Sequence, residues 1–125
     1  MASYDHFYDL PIYKTCREFR KKISIIIKTL PASEKFELIS QTKRSSRSIT
    51  ANISEGFGRY HHQENIQFYR ISRGSLTETM EHIITAYDEN YINEQTLKDV
   101  NEDYKRCLKE TNSYIKYLKS AKEIM

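Results

Sequence analysis

Tryptophan is absent from this 125-residue chain, and glycine, proline and cysteine are scarce. There are three glycines and two prolines, and no proline follows Pro31. Because so few residues break regular structure, the chain has little room for a β fold with many turns, and long helices are favoured. The length is typical of one domain, and we predict that residues 1–125 form it.

Long apolar runs are missing as well. The longest local cluster, residues 23–27, is interrupted by Ser24, whereas a helix that crosses a bilayer needs about 18–20 apolar residues. The N-terminus lacks the basic and apolar regions of a signal peptide. Cys16 and Cys107 show neither CxxC nor metal-ligand spacing. These absences predict a cytoplasmic protein with reduced thiols and no membrane partner.

The net charge of +3 conceals a strong segregation of charge along the chain. Residues 14–28 carry six basic side chains and one acidic, and residues 41–73 carry six basic and two acidic. Residues 78–103 carry eight acidic side chains and one basic, whereas residues 104–125 are again basic. Such patterning predicts contact with a polyanion, or contact between the acidic end of one subunit and the basic side of another.

Apolar residues recur at steps of three and four in four segments, which is the spacing of amphipathic helices. We predict helices over residues 11–30, 33–55, 63–89 and 94–123. Short connections between them favour an antiparallel up-down four-helix bundle, and repeats near 3.5 residues favour small crossing angles. The predicted fold class is therefore all-α.

Capping residues mark the predicted helix ends. Asp9 is an N-cap candidate ahead of Pro11, since proline is tolerated in a first turn. Gly56 and Gly58 are expected to end the second helix in the left-handed conformation. Asn93 is the expected N-cap of the fourth helix.

Gly74 falls in the middle of the third helix, where glycine costs about 1 kcal/mol relative to alanine. Such a glycine usually marks the close approach of another backbone. Together with Ser45, Ser46 and Ala51 on the second helix, it predicts tight packing of the second and third helices. That packing would lie within one subunit or across an interface.

The second helix carries two stripes at helical spacing. The first is mainly apolar and consists of Ile39, Thr42, Ser46, Ile49 and Ile53. The second is polar, lies roughly 140° away and consists of Gln41, Arg44, Ser48, Asn52 and Glu55. An ordinary surface helix needs only the first stripe. The second predicts a structural polar network, at a helix or subunit interface, made by Gln41, Ser48, Asn52 and Glu55.

No pair of cysteines or carboxylates points to a redox or di-iron site. Cys16 and Cys107 sit in apolar stripes, where cysteine behaves as a small hydrophobe. A di-iron bundle needs Glu-x-x-His on two helices, and the chain contains no such motif. Glu78 and His82 have instead the spacing of a solvated i,i+4 pair. We therefore predict no metal and no cofactor.

One cluster of polar residues leaves an enzyme as a remote alternative. His61, His62 and Glu64 fit a loop and the start of a helix, although they would also suit an active site in a cleft between subunits. The chain has no nucleophile elbow, P-loop or Rossmann glycine pattern. We predict that the protein is not an enzyme.

Six basic residues lie in the same region of the second and third helices: Lys43, Arg44, Arg47, Arg59, Arg70 and Arg73. As a phosphate-binding surface they would bind RNA or DNA through charge, without reading its sequence. The alternative is a solvated or salt-bridged surface, for example with Arg44 or Arg73 paired to Glu55 or Glu78. Tyr60 and Tyr69 would stack on bases if they were exposed, but aromatic residues at helical spacing more often belong to the core.

Several short motifs in the chain also match a known family. They are Leu10-Pro11-Ile12-Tyr13-Lys14, Leu30-Pro31 with Glu34, Leu38, Gln41, Arg44, Ser48-Ile49, Asn52-Ile53-Ser54-Glu55-Gly56, Arg59, Phe68, Gly74-Ser75-Leu76 and Glu78. Over residues 8–92 the chain resembles the four-helix-bundle proteins encoded within intervening sequences of bacterial 23S rRNA genes. It is more distantly similar to the accessory variability determinant of diversity-generating retroelements. The fourth helix matches only in its pattern.

This resemblance implies an up-down four-helix bundle that assembles into a ring-like homopentamer. It also implies binding to RNA or to a nucleic-acid-processing protein. The acidic stretch at residues 78–103 departs from the uniform basicity of a dedicated polyanion binder. Overall we predict a non-enzymatic bundle that associates with RNA or DNA through its basic surface. The alternative is a scaffold for self-assembly or protein interaction that binds no nucleic acid.

Overall fold

A computed structural model describes residues 4–59 and 61–124, with side chains up to residue 121. The four long helices are α1 (Pro11–Ile27), α2 (Leu38–Phe57), α3 (His62–Asp88) and α4 (Glu94–Ile124), and short 3-10 helices cover Phe7–Asp9 and Ala32–Glu34. Within these described ranges there is no strand, which confirms the all-α prediction. None of the described helices is long and apolar enough to span a bilayer.

The first helix begins where it was predicted and ends three residues early. Pro11 occupies its first turn, but the N-cap is Leu10, and Asp9 lies in the preceding 3-10 helix without capping α1. After Ile27, the amide of Leu30 donates to the Ile27 carbonyl at 3.1 Å, which is the tighter 3-10 pattern. The physical reason is Pro31, because a proline disfavours the helical conformation of the residue before it.

The second helix begins at Leu38, five residues later than predicted. The Oε1 atom of Glu34 accepts the Leu38 amide at 3.3 Å, which satisfies one of the free donors at this helix end. The Oε2 atom of the same carboxylate accepts the Tyr91 hydroxyl at 2.9 Å. A side chain from the α3–α4 connection therefore helps to fix the conformation of the α1–α2 connection.

The glycines at the end of α2 do not act as left-handed caps, and that prediction was wrong. The helix continues through Gly56 to Phe57, and Gly58 has a φ of −74°. Gly56 is needed because α3 approaches it closely. A Cβ atom on Gly56 would lie 2.7 Å from Oδ1 of Asn65 and 2.9 Å from Cβ of Phe68.

The third connection contains a left-handed residue, Asn90, with a φ of 65°. The Tyr91 amide donates to the Ala86 carbonyl and the Asn90 amide to the Tyr87 carbonyl, both at 2.9 Å. These two bonds form a Schellman motif that satisfies the last carbonyls of α3. The Asn93 side chain then accepts the Thr96 amide at 2.8 Å, so the predicted N-cap of α4 is confirmed.

The predicted apolar stripes form the core of the molecule. The apolar stripe of α1, which consists of Cys16, Phe19, Ile23 and Ile26, is buried throughout, and Ile49 and Ile53 of α2 have no exposed surface. In the described structure, α1 packs against α2 and α4, and α3 also packs against α2 and α4, while the backbones of α1 and α3 stay more than 8 Å apart between Cα atoms. The helices therefore surround a main core, and a smaller cluster is formed by Leu30, Leu38 and Ala86. Each fully buried Ile or Leu contributes about 1.5–3 kcal/mol to folding.

Candidate nucleic-acid interface

The six basic residues predicted to bind phosphate lie in three different places. Lys43, Arg44 and Arg47 are exposed on the outer side of α2. Arg59 follows the C-terminus of α2, and its guanidinium lies over the ring of Phe68, 5.1 Å from the ring centre. The remaining two, Arg70 and Arg73, are on α3. The structure thus does not bring the six together as one surface.

The positive charge of Arg59 is compensated by two carboxylates. Its Nη2 atom lies 2.8 Å from Oε1 of Glu55, and its Nη1 atom lies 4.0 Å from Oε2 of Glu64. These pairs connect the end of α2 to the first turn of α3. An arginine in this environment is a weaker candidate for phosphate, since two negative charges already face it.

Arg73 is also engaged within the chain. Its Nη1 atom donates to Oδ1 of Asn112 at 2.8 Å, which links α3 to α4. The side chain is half-buried. Neither of the predicted partners of Arg73, Glu55 and Glu78, forms an ion pair with it among the described residues.

Lys43 and Arg47 lie one helical turn apart and face α1. With Arg20 and Lys21 of α1 they line a surface groove of about 460 Å³. The other lining residues are Ser24, Ile27 and Ser46, so no carboxylate is among the described residues that line it. We call this feature the basic groove and define it by Arg20, Lys21, Lys43 and Arg47.

Packing between the helices orients the arginine at the base of this groove. The Nη1 atom of Arg20 donates to Oγ1 of Thr50 at 2.7 Å. Thr50 is buried between the helices, and Arg20 is half-buried. Lys21 is more exposed, and its Nζ atom lies 3.5 Å from Oε1 of Glu18. Because one guanidinium nitrogen of Arg20 is fixed in this way, the side chain is held beside the groove while its other donors remain available.

Arg20 and Lys21 were not among the predicted site residues. The signal that points to them is the basic segment at residues 14–28, which has six basic residues and one acidic. Sequence spacing places Lys21 and Ser24 on one side of α1, but it does not show which other helix that side faces. The pairing of α1 with α2 supplies this information.

The polar stripe of α2 divides into separate contacts. The Asn52 amide nitrogen donates to both the carbonyl and the Oγ atom of Ser48 at 2.8 Å, and Ser75 of α3 donates to the same Oγ at 2.8 Å. Glu55 pairs instead with Arg59. Gln41 is exposed and makes no side-chain hydrogen bond to Ser48 or Asn52 within the described structure. Ser48 and Asn52 thus meet at the α2–α3 contact, and the other two members lie apart from them.

The sequence suggested that Gly74 takes part in a tight contact between α2 and α3. Within the described chain it does not. Gly74 is exposed, and a Cβ atom there would have no neighbour within 4 Å in the described chain. The close contacts are instead a hydrogen bond of 2.8 Å between Ser45 and Thr79 and one of 2.7 Å from Ser72 to the Ile49 carbonyl. These small side chains allow the two helices to approach.

Tyr69 is not available to stack on bases. Its side chain is fully buried, and its ring stacks on that of Tyr114 with 4.7 Å between ring centres. Burial and the neighbouring Tyr114 raise the pKa of Tyr69 well above its ordinary value. The other predicted stacking residue, Tyr60, lies outside the described residues.

The residues considered for redox or metal chemistry lie in surroundings that do not favour such chemistry. Cys16 and Cys107 are both in the core, and a hydrogen bond with Cys107 together with burial raises the pKa of the Cys16 thiol. A raised pKa disfavours the reactive thiolate. Among the described residues, no three His, Cys, Asp or Glu side chains form a group that would hold a metal ion. His82 lies 3.3 Å from Glu78, as the i,i+4 spacing suggests.

The histidines at the start of α3 do not form a cluster with Glu64. Glu64 lies near Arg59 instead. His61 is the N-cap residue of α3 and is exposed, and the next residue, His62, is half-buried.

The fold is similar to that of a solved protein. That protein, from Bacteroides thetaiotaomicron, is described as having unknown function and as belonging to the S23 ribosomal protein family. It superimposes with a TM-score of 0.77 at 26% sequence identity, over 84% of this chain and 95% of the other. No protein of curated function matches. The model of the 23S rRNA-intervening sequence protein family matches residues 8–113, and this chain therefore belongs to that family.

Proposed function

We propose that this protein is a non-enzymatic helical bundle that binds the phosphate backbone of RNA or DNA in its basic groove. The observation that carries the proposal is the lining of the groove, in which four basic side chains from α1 and α2 meet without a carboxylate among the described lining residues. Arg44 is also exposed on α2 and adds positive charge to this helix, although it does not line the groove.

The chemistry of the groove suits phosphate better than bases. Guanidinium groups bind phosphate oxygens through paired hydrogen bonds, and lysine adds a mobile point charge. Ser24 and Ser46 offer hydroxyl groups in the same lining. No aromatic side chain is among the described lining residues, so base stacking is not expected. We infer binding that depends on charge and has little sequence preference.

The names of the related proteins agree with this proposal. The family takes its name from intervening sequences of 23S rRNA, and the Bacteroides protein is assigned to a ribosomal protein family. The first name refers to 23S rRNA and the second to the ribosome. We propose a cytoplasmic location and, as a further partner, a protein that processes nucleic acid.

We also propose that the helices run up and down in antiparallel order. The contacts between α2 and α3 support this arrangement. Ser45 pairs with Thr79, Ser48 with Ser75, and the Ile49 carbonyl with Ser72, so residue numbers fall along α3 as they rise along α2. The connections after α2 and after α3 are only a few residues long, which also supports antiparallel neighbouring helices.

We propose that this bundle assembles into a ring-like homo-oligomer. The resemblance of the sequence to the 23S rRNA-intervening sequence proteins favours five subunits. Charge segregation supports an assembly of this type, because residues 78–103 are acidic while α1 and α2 are basic. A ring uses one contact in which two different surfaces of neighbouring subunits meet. Opposite charges on those surfaces would favour the contact and fix its direction.

A binding titration with two double variants tests the function. Lys43→Gln/Arg47→Gln removes two positive charges from the basic groove, and Lys98→Gln/Lys105→Gln removes two from exposed positions on α4. Fluorescence anisotropy with a labelled single-stranded RNA of mixed sequence gives the affinity at low salt. We expect the groove variant to bind roughly tenfold more weakly and the α4 variant to bind as the wild type does.

Equal losses in both variants, or no binding by the wild-type protein, would show that the groove is not the nucleic-acid site. In that case the alternative gains support, namely a scaffold in which charge segregation serves self-assembly alone. Sedimentation velocity at low and high salt then decides. Smaller species at high salt are expected if acidic and basic surfaces hold the subunits together, and an unchanged profile argues against that contact.

A further inference from the structure

Gly74 lies in the middle of α3 on its exposed side, and nothing inside the chain accounts for it. No atom of the described structure lies within 4 Å of the position that its Cβ atom would occupy. Glycine weakens a helix relative to any other common residue except proline. An exposed mid-helix glycine of this kind leaves room for another molecule to approach the α3 backbone.

The surface around Gly74 has a mixed composition. At 100° per residue, the side chains within about 60° of Gly74 on α3 include those of Gln67, Arg70, Ile71, Glu78 and Glu81. All are exposed, and 51% of Ile71 is accessible to solvent. We call these residues, together with Gly74, the α3 face. An exposed isoleucine next to a glycine provides apolar surface where a second helix can come close.

The order of charges along the α3 face is complementary to a second copy of itself. When two antiparallel copies of a helix are related by a two-fold axis through Gly74, residues equally far before and after Gly74 lie opposite each other. Arg70 precedes Gly74 by four residues, and Glu78 follows it by four. Arg70 of each copy therefore faces Glu78 of the other copy, so that the ion pair forms twice.

The next positions along the face agree with the same arrangement. Gln67 and Glu81 lie seven residues before and after Gly74, so an amide of one copy faces a carboxylate of the other. At these two pairs of positions no charges of like sign are opposed. Charge complementarity in this register selects a second copy of the chain as the occupant of the face.

Both partners of the ion pair are available. Arg70 is exposed and forms no ion pair within the described part of the chain. Glu78 has a side chain that is 60% exposed, and only its Oε2 atom is near another charged group, 3.3 Å from Nε2 of His82. Neither side chain must break a strong internal contact before it reaches a neighbour.

We propose that the α3 face is a two-fold symmetric interface between two copies of this chain, in which their α3 helices cross antiparallel at Gly74. This interface is separate from the basic groove, because the described residues that line the groove all belong to α1 and α2. It also differs from a ring contact, in which two different surfaces meet. The two contacts can coexist, and the α3 contact then pairs two rings.

Molar mass in solution tests the proposal, measured by light scattering on the full chain over about 1 μM to 1 mM. The wild type is expected to contain an even number of subunits, two for a simple pair or ten for paired five-membered rings. Gly74→Gln, which has free space within the chain, should halve that mass. Because glutamine is a better helix former than glycine, the same variant should keep the helical circular-dichroism signal of the wild type, which shows that it is folded.

A charge exchange supplies the matched comparison. Arg70→Glu and Glu78→Arg should each weaken the pairing roughly tenfold, since each change places like charges opposite each other twice. The double variant Arg70→Glu/Glu78→Arg restores both ion pairs with reversed polarity and should recover the wild-type mass. Lys98→Glu, on the exposed side of α4, makes the same charge change elsewhere and should leave the mass unaltered.

The proposal is overturned by a wild-type protein with one subunit or an odd number of subunits throughout this concentration range. It is also overturned if Gly74→Gln and Arg70→Glu keep the wild-type mass, or if the double charge exchange fails to recover it. Binding of a short RNA that occupies one basic groove is a separate readout here, because these variants leave the groove intact.

Discussion

At the scale of single residues, Gly56 and Gly74 have opposite surroundings within the chain. Gly56 lies in a tight contact between α2 and α3, whereas Gly74 faces open space. The sequence predicted a helix cap at Gly56 and a close approach of another helix at Gly74, whereas within the described chain the close approach is at Gly56. The difference arises from which neighbouring helix approaches, and that is a property of the folded chain.

The change Gly56→Ala is expected to destabilise the protein by about 1–2 kcal/mol. A Cβ atom at this position would lie 2.7 Å from Oδ1 of Asn65 and 2.9 Å from Cβ of Phe68, so α2 and α3 must separate slightly. The gain in helix propensity offsets part of the cost. Urea denaturation gives the free energy of unfolding.

Gly58→Ala is the matched control for this change. Its nearest neighbours would be the carbonyl oxygens of Glu55 at 3.5 Å and Ser54 at 3.7 Å, which are ordinary contacts. Gly58 also has a φ of −74°, which alanine adopts freely. A loss of stability in Gly58→Ala as large as that in Gly56→Ala would show that close packing is not the cause.

The buried phenol of Tyr69 predicts a pH dependence of stability. Burial raises the pKa of Tyr69 in the folded protein, while an unfolded tyrosine titrates near pH 10. The stabilising contribution of the neutral phenol is complete below about pH 10. It decreases as pH rises further, by up to about 1.4 kcal/mol per pH unit, because only the unfolded chain releases the proton.

Urea midpoints between pH 9 and pH 11 check this prediction. Tyr69→Phe removes the ionisable group and keeps the ring, so the variant should lose less stability between these pH values than the wild type does. Parallel decreases in the two proteins would mean that Tyr69 does not titrate differently in the folded and unfolded states.

At the scale of helices, periodicity predicts the elements well and their ends less well. Repeats of three and four residues are a local property, and they identified all four helices and most of the buried side chains. The start of α2 depends on Glu34, which is held by Tyr91 from a distant part of the sequence. A bond between residues 57 positions apart leaves no local pattern, so the sequence placed this end too early.

One helix end was predicted correctly because its signal is local. Asn93 accepts the Thr96 amide at 2.8 Å, three residues away. Asn93→Ala should cost about 1 kcal/mol of stability, while Asn93→Ser, which keeps a capping oxygen, should cost only a few tenths. Thermal or urea unfolding of the two variants distinguishes them. Equal losses would mean that the side-chain bond to Thr96 does not stabilise α4.

The candidate site shows the same limit of sequence analysis. Lys43 and Arg47 were predicted from the sequence, but Arg20 and Lys21 lie more than 20 residues earlier and join them only through the packing of α1 on α2. Arg59 and Arg73 were also predicted, yet Arg59 faces carboxylates of α2 and α3. Arg73 contacts an amide on α4. The number of basic residues was visible in the sequence, and their distribution over the surface was not.

At the scale of the whole molecule, the described structure places two functional candidates on different helices. The basic groove is lined by residues of α1 and α2, and the α3 face consists of exposed residues of α3. Binding of a polyanion and pairing of two copies therefore need not compete. A paired assembly would present two basic grooves, so a long nucleic acid that reaches both would be held more strongly than a short one.

The salt dependence of nucleic-acid affinity tests the central claim most directly. Each cation that binds a phosphate releases condensed counterions, so the logarithm of the affinity falls linearly with the logarithm of the salt concentration. The slope depends on the number of phosphates contacted. Lys43→Gln/Arg47→Gln should make the slope shallower by about 1.4 for a single strand or about 1.8 for a duplex, while Lys98→Gln/Lys105→Gln should not change it. If wild type and groove variant give parallel lines, Lys43 and Arg47 do not contact phosphate, and the basic groove is not the nucleic-acid interface.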